Sequence, residues 1–220
     1  MGKQFSIQES YAVAISLFRK RMPYHIGVAF LFLFFTFGLS FFTKFFINAI
    51  FPQLQESSFS SIEQIIQLGL FLVSYVLQIG ILRIYMETVD GQTPEVSVLF
   101  KSAGKYRQFF ILSLLSGVLI TLGYVVFIIP GIILSLFWYF SSYVVLDEDV
   151  GVVEAMKQSK ELTEGVRVKI LLFEITTMFV NTIGMAFLGV GGLVSFPITS
   201  LARVHIYRSL HSQTLGLKTV

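Results

Sequence analysis

Two side chains carry charge where the surrounding sequence is apolar: Glu174, within LLFEITTMFV, and Arg203, within ITSLARVHIY. An ionisable group inside a hydrophobic span is costly, and by default it marks a site that holds a partner or does work. Counted from the glycine-rich turn between them, the two differ in depth by about 6 Å, which a guanidinium reaching toward the membrane edge closes. The spacing predicts that they pair. Two uses fit such a pair: a structural ion pair that fixes a helical hairpin, or a proton or substrate site. Thr177, Asn181 and Gly184 follow Glu174 at steps of three or four, so they share one helix face with it. That face either lines a wet cavity or makes ordinary interhelical hydrogen bonds.

Other reactive types offer less. Asp147-Glu148-Asp149 is a carboxylate cluster at a helix start, suited to a divalent ion at headgroup level or to capping and dipole charge. With 0 Cys there is no disulfide frame, thiol nucleophile or thiolate metal site. His25, His205 and His211 are far apart and show no metal-ligand spacing. G-x-S-x-G, P-loop and dinucleotide fingerprints are absent. These patterns predict no catalytic, cofactor-binding or metal site, and a non-enzymatic protein.

The elements that must position these residues are membrane helices. Of 220 residues, 55% are apolar and only 13% charged, with 24 Phe and a mean hydropathy of +0.78. Soluble domains carry about 25% charged residues, so lipid must solvate much of this surface. A net charge of +3 could suggest nucleic acid, but the basic residues are interleaved with long apolar runs, so topology explains them better and no nucleic-acid partner is expected. A span needs about 20 apolar residues. Six are expected: His25 to Asn48, Ile62 to Tyr85, Gln108 to Ile129, Ile132 to Leu146, Val168 to Leu188, and a sixth ending near Leu210. Pro130-Gly131 is expected to form a tight hairpin turn, and Gly189-Val190-Gly191-Gly192 a second. Pro197 should kink the sixth span near Arg203. The stripe Ser113, Gly117, Thr121 predicts close helix approach. The first apolar stretch is too long for a signal peptide and is expected to be a retained span. Fifteen of the 16 basic residues fall on one side, with only Lys44 near the other, which places both termini in the cytoplasm.

Three cytoplasmic segments each put an amphipathic stretch before a span. The first has Ile7, Tyr11, Ala14, Phe18 and Met22 on one face; the second, from Pro94 to Tyr106, has Val96, Phe100 and Ala103; the third has Val152, Val153 and Met156. Lys157–Glu161 and Lys160–Glu164 are expected as ion pairs one turn apart. Such helices either lie along the inner leaflet or pack on the span ends. The expected architecture is therefore all-α. It is a single membrane domain over residues 1–220, an integral bundle of six transmembrane helices with three cytoplasmic amphipathic helices. The three helix-plus-hairpin units cover about 1–86, 87–146 and 147–220.

The segment from Ile129 to Gly165 contains an apolar turn IIPGII, an aromatic FWYF and then VVLDEDVGVVEAMKQSKELTEG. It resembles the signature of an uncharacterised bacterial family of multi-span membrane proteins, related to the membrane domain of some glycerophosphodiester phosphodiesterases. The matching positions are Pro130, Gly131, Asp147, Glu148, Ala155, Ser159, Leu162 and Gly165; Phe137-Trp138-Tyr139 stands where that family usually has Arg or Lys. The resemblance implies a bacterial inner-membrane protein and brings no reaction with it. The expected function is a structural or lipid-interacting role in the envelope, with membrane lipids and a membrane or cytoplasmic protein as partners. The alternative is a small permease centred on Glu174, Thr177, Asn181 and Arg203.

Overall fold

The computed structural model is all-helical among the described residues, which are 3–39, 41–42, 45, 58–101, 103–148, 150–186 and 190–216. Lys44, Asn48, Asp149, Leu188 and Gly189, for which the sequence sets expectations, lie outside them.

Local chemistry sets the helix limits. Helix α1 (Ile7–Lys20) starts at Ser6, whose hydroxyl accepts from the Glu9 backbone N–H at 3.2 Å, and it carries Glu9 in its first turn and Arg19 and Lys20 in its last, matching the helix dipole. Helix α2 (Met22–Leu33) begins with Pro23, where a missing N–H costs nothing, and widens into a π-helical turn over Phe34–Gly38. Helix α3 (Ser58–Val89) ends at Gly91, whose φ of 78° favours glycine. Next come α4 (Tyr106–Val126), α5 (Ile128–Phe137), α6 (Ser141–Asp147), α7 (Val152–Thr163), α8 (Arg167–Ala186) and α9 (Gly192–Thr214).

Four stretches are long and apolar enough to cross a membrane: Gln64–Val89, Tyr106–Val126, Ile128–Asp147 and Arg167–Ala186. Their outer faces stay uncovered. Val125 is 77% exposed and Phe127 73%, and Leu68, Phe71, Val168 and Met178 are also exposed. A contiguous apolar surface of this extent is what a lipid-facing shell looks like. Met22–Thr36 is a shorter apolar helix. Helix α9 is long but more polar, and it occupies the centre, packed against α1, α2, α3, α7 and α8. Its buried residues, among them Pro197, Ala202, Val204, Ile206 and Tyr207, cover all sides of the helix, as a surrounded helix requires.

Four local expectations are corrected. The reversal after α4 lies at Phe127, whose extended φ of −163° separates the helices, while Pro130 and Gly131 sit inside the first turns of α5. Proline is tolerated there because first-turn N–H groups have no intrahelical acceptor. Gly131 instead lets α5 lie close to α4, since a Cβ on it would meet the Tyr124 ring at 2.4 Å. The segment from Pro94 to Tyr106 is not one amphipathic helix. It has a short helix Val98–Lys101 and a 3₁₀ turn Ala103–Lys105, and it buries Val98 and Leu99 while Val96 is exposed. Gly80 of α3 explains this, because Leu99 backbone lies where its Cβ would be, at 2.5 Å. On α7 the buried face is Ala155, Met156, Ser159 and Leu162, with Val153 exposed. There Lys157 turns to Glu154 at 3.8 Å and Lys160 lies over the Phe137 ring. Finally, Gly117 has open space around it, so the close approach of α4 occurs one and a half turns later at Gly123, whose Cβ would lie 3.0 Å from the Gly131 Cα.

Candidate functional site

Glu174 of α8 and Arg203 of α9 meet. Arg203 Nη2 donates to Glu174 Oε1 at 2.9 Å and to Oε2 at 3.1 Å, and Nε donates to Oε1 at 3.0 Å. A bidentate fork of this kind fixes the guanidinium plane. A third member comes from the short turn between α5 and α6. The Tyr139 hydroxyl accepts from Arg203 Nε at 2.7 Å and donates to Glu174 Oε1. Each of the three groups therefore bonds to the other two, which offsets part of the cost of holding charge away from water.

Ser159 explains why Tyr139 is there. Its fully buried hydroxyl donates to the Phe137 carbonyl at 2.9 Å and accepts from the Phe140 N–H at 3.0 Å. It thus stands in for the backbone bonds that the break at 138–140 leaves open, and the break swings Tyr139 toward α9. Arg167 and Lys160 both lie over the Phe137 ring and hold the same corner from the other side.

The rest of the α8 polar face goes to separate partners. Thr177 bonds the Tyr11 hydroxyl of α1 at 2.9 Å, and Asn181 bonds Thr199 of α9 at 3.4 Å. Burial raises the Tyr11 phenol above its ordinary value, so that contact is between neutral hydroxyls. Gly184 packs tightly, with Ser195 Oγ 2.5 Å from the place its Cβ would take. Glu174, Thr177 and Asn181 thus join α8 to three different places and do not converge on one ligand.

A second polar cluster lies one and a half turns along α9. Asp147 Oδ2 accepts from the Tyr207 hydroxyl at 2.9 Å and from Arg208 Nη1 at 2.5 Å, and Arg208 Nη2 donates to Asp90 at 2.6 Å. His211 Nε2 lies 2.8 Å from Glu148 Oε1, and Lys105 donates to the Glu148 carbonyl at 3.1 Å. Asp147 and Glu148 therefore bind side chains of α9. Among the described residues no group of three or more His, Cys, Asp or Glu is placed to hold a metal ion. The other two histidines lie elsewhere. His25 is fully buried between the rings of Phe18, Tyr24 and Tyr85, and His205 faces Ser10 at 3.3 Å. Gly165, with φ of 80°, closes α7 ahead of α8.

Beside the triad is a cavity of about 480 Å³, walled by α2, α3, α4, α6 and α9. Arg203 lines it, which accounts for a side chain so deep in the bundle keeping 27% of its surface accessible. Ser142, Tyr143 and Ser200 stand around the Arg203–Tyr139 bond, and Phe32, Leu33, Ile81 and Leu82 form the wall contributed by α2 and α3. Sequence reasoning missed Tyr139, Ser142 and Ser200. The one signal, for Ser200 alone, was the run Phe196, Ser200, Arg203 at helical spacing, which puts a hydroxyl one turn from the arginine. Compared with protein-family models, curated proteins and solved structures, the chain matches none.

Proposed function

We propose that the chain is a non-enzymatic, multi-pass protein of the bacterial inner membrane with a lipid-interacting role. In this reading it has six spans, α2 and α9 joining the four longer apolar stretches, with both termini and α1 and α7 on the cytoplasmic side. The observation that carries it is the uncovered apolar shell formed by α3, α4, α5 and α8 around a polar centre. The cationic end of α1, with Arg19, Lys20 and Arg21 all exposed, suits anionic headgroups. The likeness of Ile129 to Gly165 to the multi-span bacterial family supports the inner-membrane placement. The non-enzymatic reading rests on Glu174 and Tyr139, whose acid–base atoms are taken up by one another and by Arg203. The test is thermal unfolding of the delipidated protein in a maltoside detergent with increasing phosphatidylglycerol. A saturable rise of the midpoint by several degrees is expected, because a ligand of the folded state stabilises it by mass action. A midpoint indifferent to every phospholipid would contradict the reading.

A second reading, a small permease, is favoured by one observation: Arg203 lies midway along α9, beside the cavity. Mid-depth polar sites are where secondary transporters hold their cargo. Solute uptake into proteoliposomes by the wild-type protein and not by Glu174→Gln would carry it.

A further inference from the structure

The cavity has walls of unlike chemistry. The wall contributed by α6 and α9 presents Ser142, Tyr143, Ser200 and the Arg203 guanidinium, whereas the wall contributed by α2 and α3 is mostly apolar, with Gln78 one turn from Ile81 and Leu82. Gln78, Ser142 and Ser200 make no hydrogen bond to any described residue. Gln78 lies at the exposed rim, whereas Ser142 and Ser200 are half-buried, and inside a membrane bundle an unmatched hydroxyl is costly, so these two facing one space call for a polar occupant. Arg203 adds a fixed direction. Glu174 and Tyr139 engage its Nε and Nη2, so the guanidinium cannot turn, and the Tyr143 hydroxyl stands beside it on the cavity wall.

Size narrows the occupant. Small-molecule sites run from about 300 to 1,000 Å³ and are mostly apolar with a few placed polar groups. At about 30 Å³ per water-sized group, about 480 Å³ holds roughly sixteen such groups, about the size of one acyl chain and not of two, and because the cavity is partly open a larger head extends past its rim. The polar wall is rich in donors and contains a cation, so the head it fits is an oxygen acceptor with negative charge.

We infer that this cavity is a binding site for one single-chain amphiphile with an oxyanion head, either a carboxylate or a phosphate ester, the head on Arg203, Ser142 and Ser200 and the chain against α2 and α3. The inference rests on the lipid-interacting reading and names the lipid class. Two sources share this chemistry: a free fatty acid and a lysophospholipid.

The experiment is native mass spectrometry of the full chain in maltoside micelles with palmitate, palmitoyl lysophosphatidylglycerol or uncharged monopalmitin. One anionic amphiphile per chain is expected, retained at least about tenfold more tightly than monopalmitin, a difference of about 1.4 kcal/mol. The tighter of the two anions identifies the source, and either supports the inference. Ser200→Phe, which fills the cavity, should lower retention by about tenfold or more. Ser142→Leu on the α6 side makes the same test if Ser200→Phe does not fold. Equal retention of monopalmitin overturns the oxyanion head, and retention untouched by both substitutions overturns the site. If nothing is retained while phosphatidylglycerol still raises the thermal midpoint, this inference alone falls; if the midpoint is also unresponsive, the lipid-interacting reading falls with it.

Discussion

The stability of the centre depends on a carboxylate, a guanidinium and a phenol that satisfy one another. Removing one member leaves the others short of partners inside the bundle, where they are only partly accessible, so single substitutions should hurt more than paired ones. Arg203→Gln is expected to cost about 3 kcal/mol, and Glu174→Gln with Arg203→Gln distinctly less, measured by denaturant unfolding in detergent. Additive or larger loss in the double variant would mean that the two charges are not coupled. Glu174 and Arg203 were legible in the sequence because charge stands out in apolar runs. Tyr139 was not, because an aromatic residue inside FWYF reads as core, and only the fold shows that its hydroxyl completes the pair. Ser159 was visible as part of a family-like motif, but its work of closing the break at 138–140 depends on α7 crossing that break.

Among the helices, close approach is concentrated at particular glycines. A Cβ on Gly80 would lie 2.5 Å from Leu99 backbone, which cannot swing aside as a side chain would, while Gly117 faces open space. Gly80→Ala should therefore cost about 2 kcal/mol by overpacking, and Gly117→Ala should be neutral or slightly stabilising through helix propensity. Thermal midpoints of the two variants check this, and equal midpoints would contradict it. Hydropathy found the long apolar helices because length and composition alone define them. It misplaced the reversal at Pro130-Gly131, because glycine and proline also serve first turns and tight crossings, uses that spacing cannot tell from a turn. The pattern also misjudged the segment from Pro94 to Tyr106, since the burial of Val98 and Leu99 is decided by a glycine on another helix.

At the scale of the whole molecule, the two ends of the described chain lie side by side. The Gln4 N–H donates to Gln213 Oε1 at 2.9 Å, and Gln213 Nε2 returns a bond to the Gln4 carbonyl at 2.7 Å. Ser10 faces His205, so α1 runs antiparallel along the last turns of α9 and spends its buried face, Ser10, Ala14 and Phe18, on protein. The two ends of the described chain therefore share one side, which the proposed reading, through the positive-inside rule, takes as cytoplasmic. In a chain with 0 Cys, Gly2→Cys should be labelled by an impermeant maleimide only after the membrane is opened; labelling in intact cells would invert the topology. The central claim is a partly open cavity with one polar wall inside a lipid-facing shell, and the same absence of cysteine gives the most direct measurement of it. Ser200→Cys should react with a small anionic methanethiosulfonate and be slowed at least about tenfold by palmitate, while Leu114→Cys, on the exposed apolar face of α4, should stay unreactive. An inert Ser200→Cys, or one that reacts no faster than Leu114→Cys, would contradict the account.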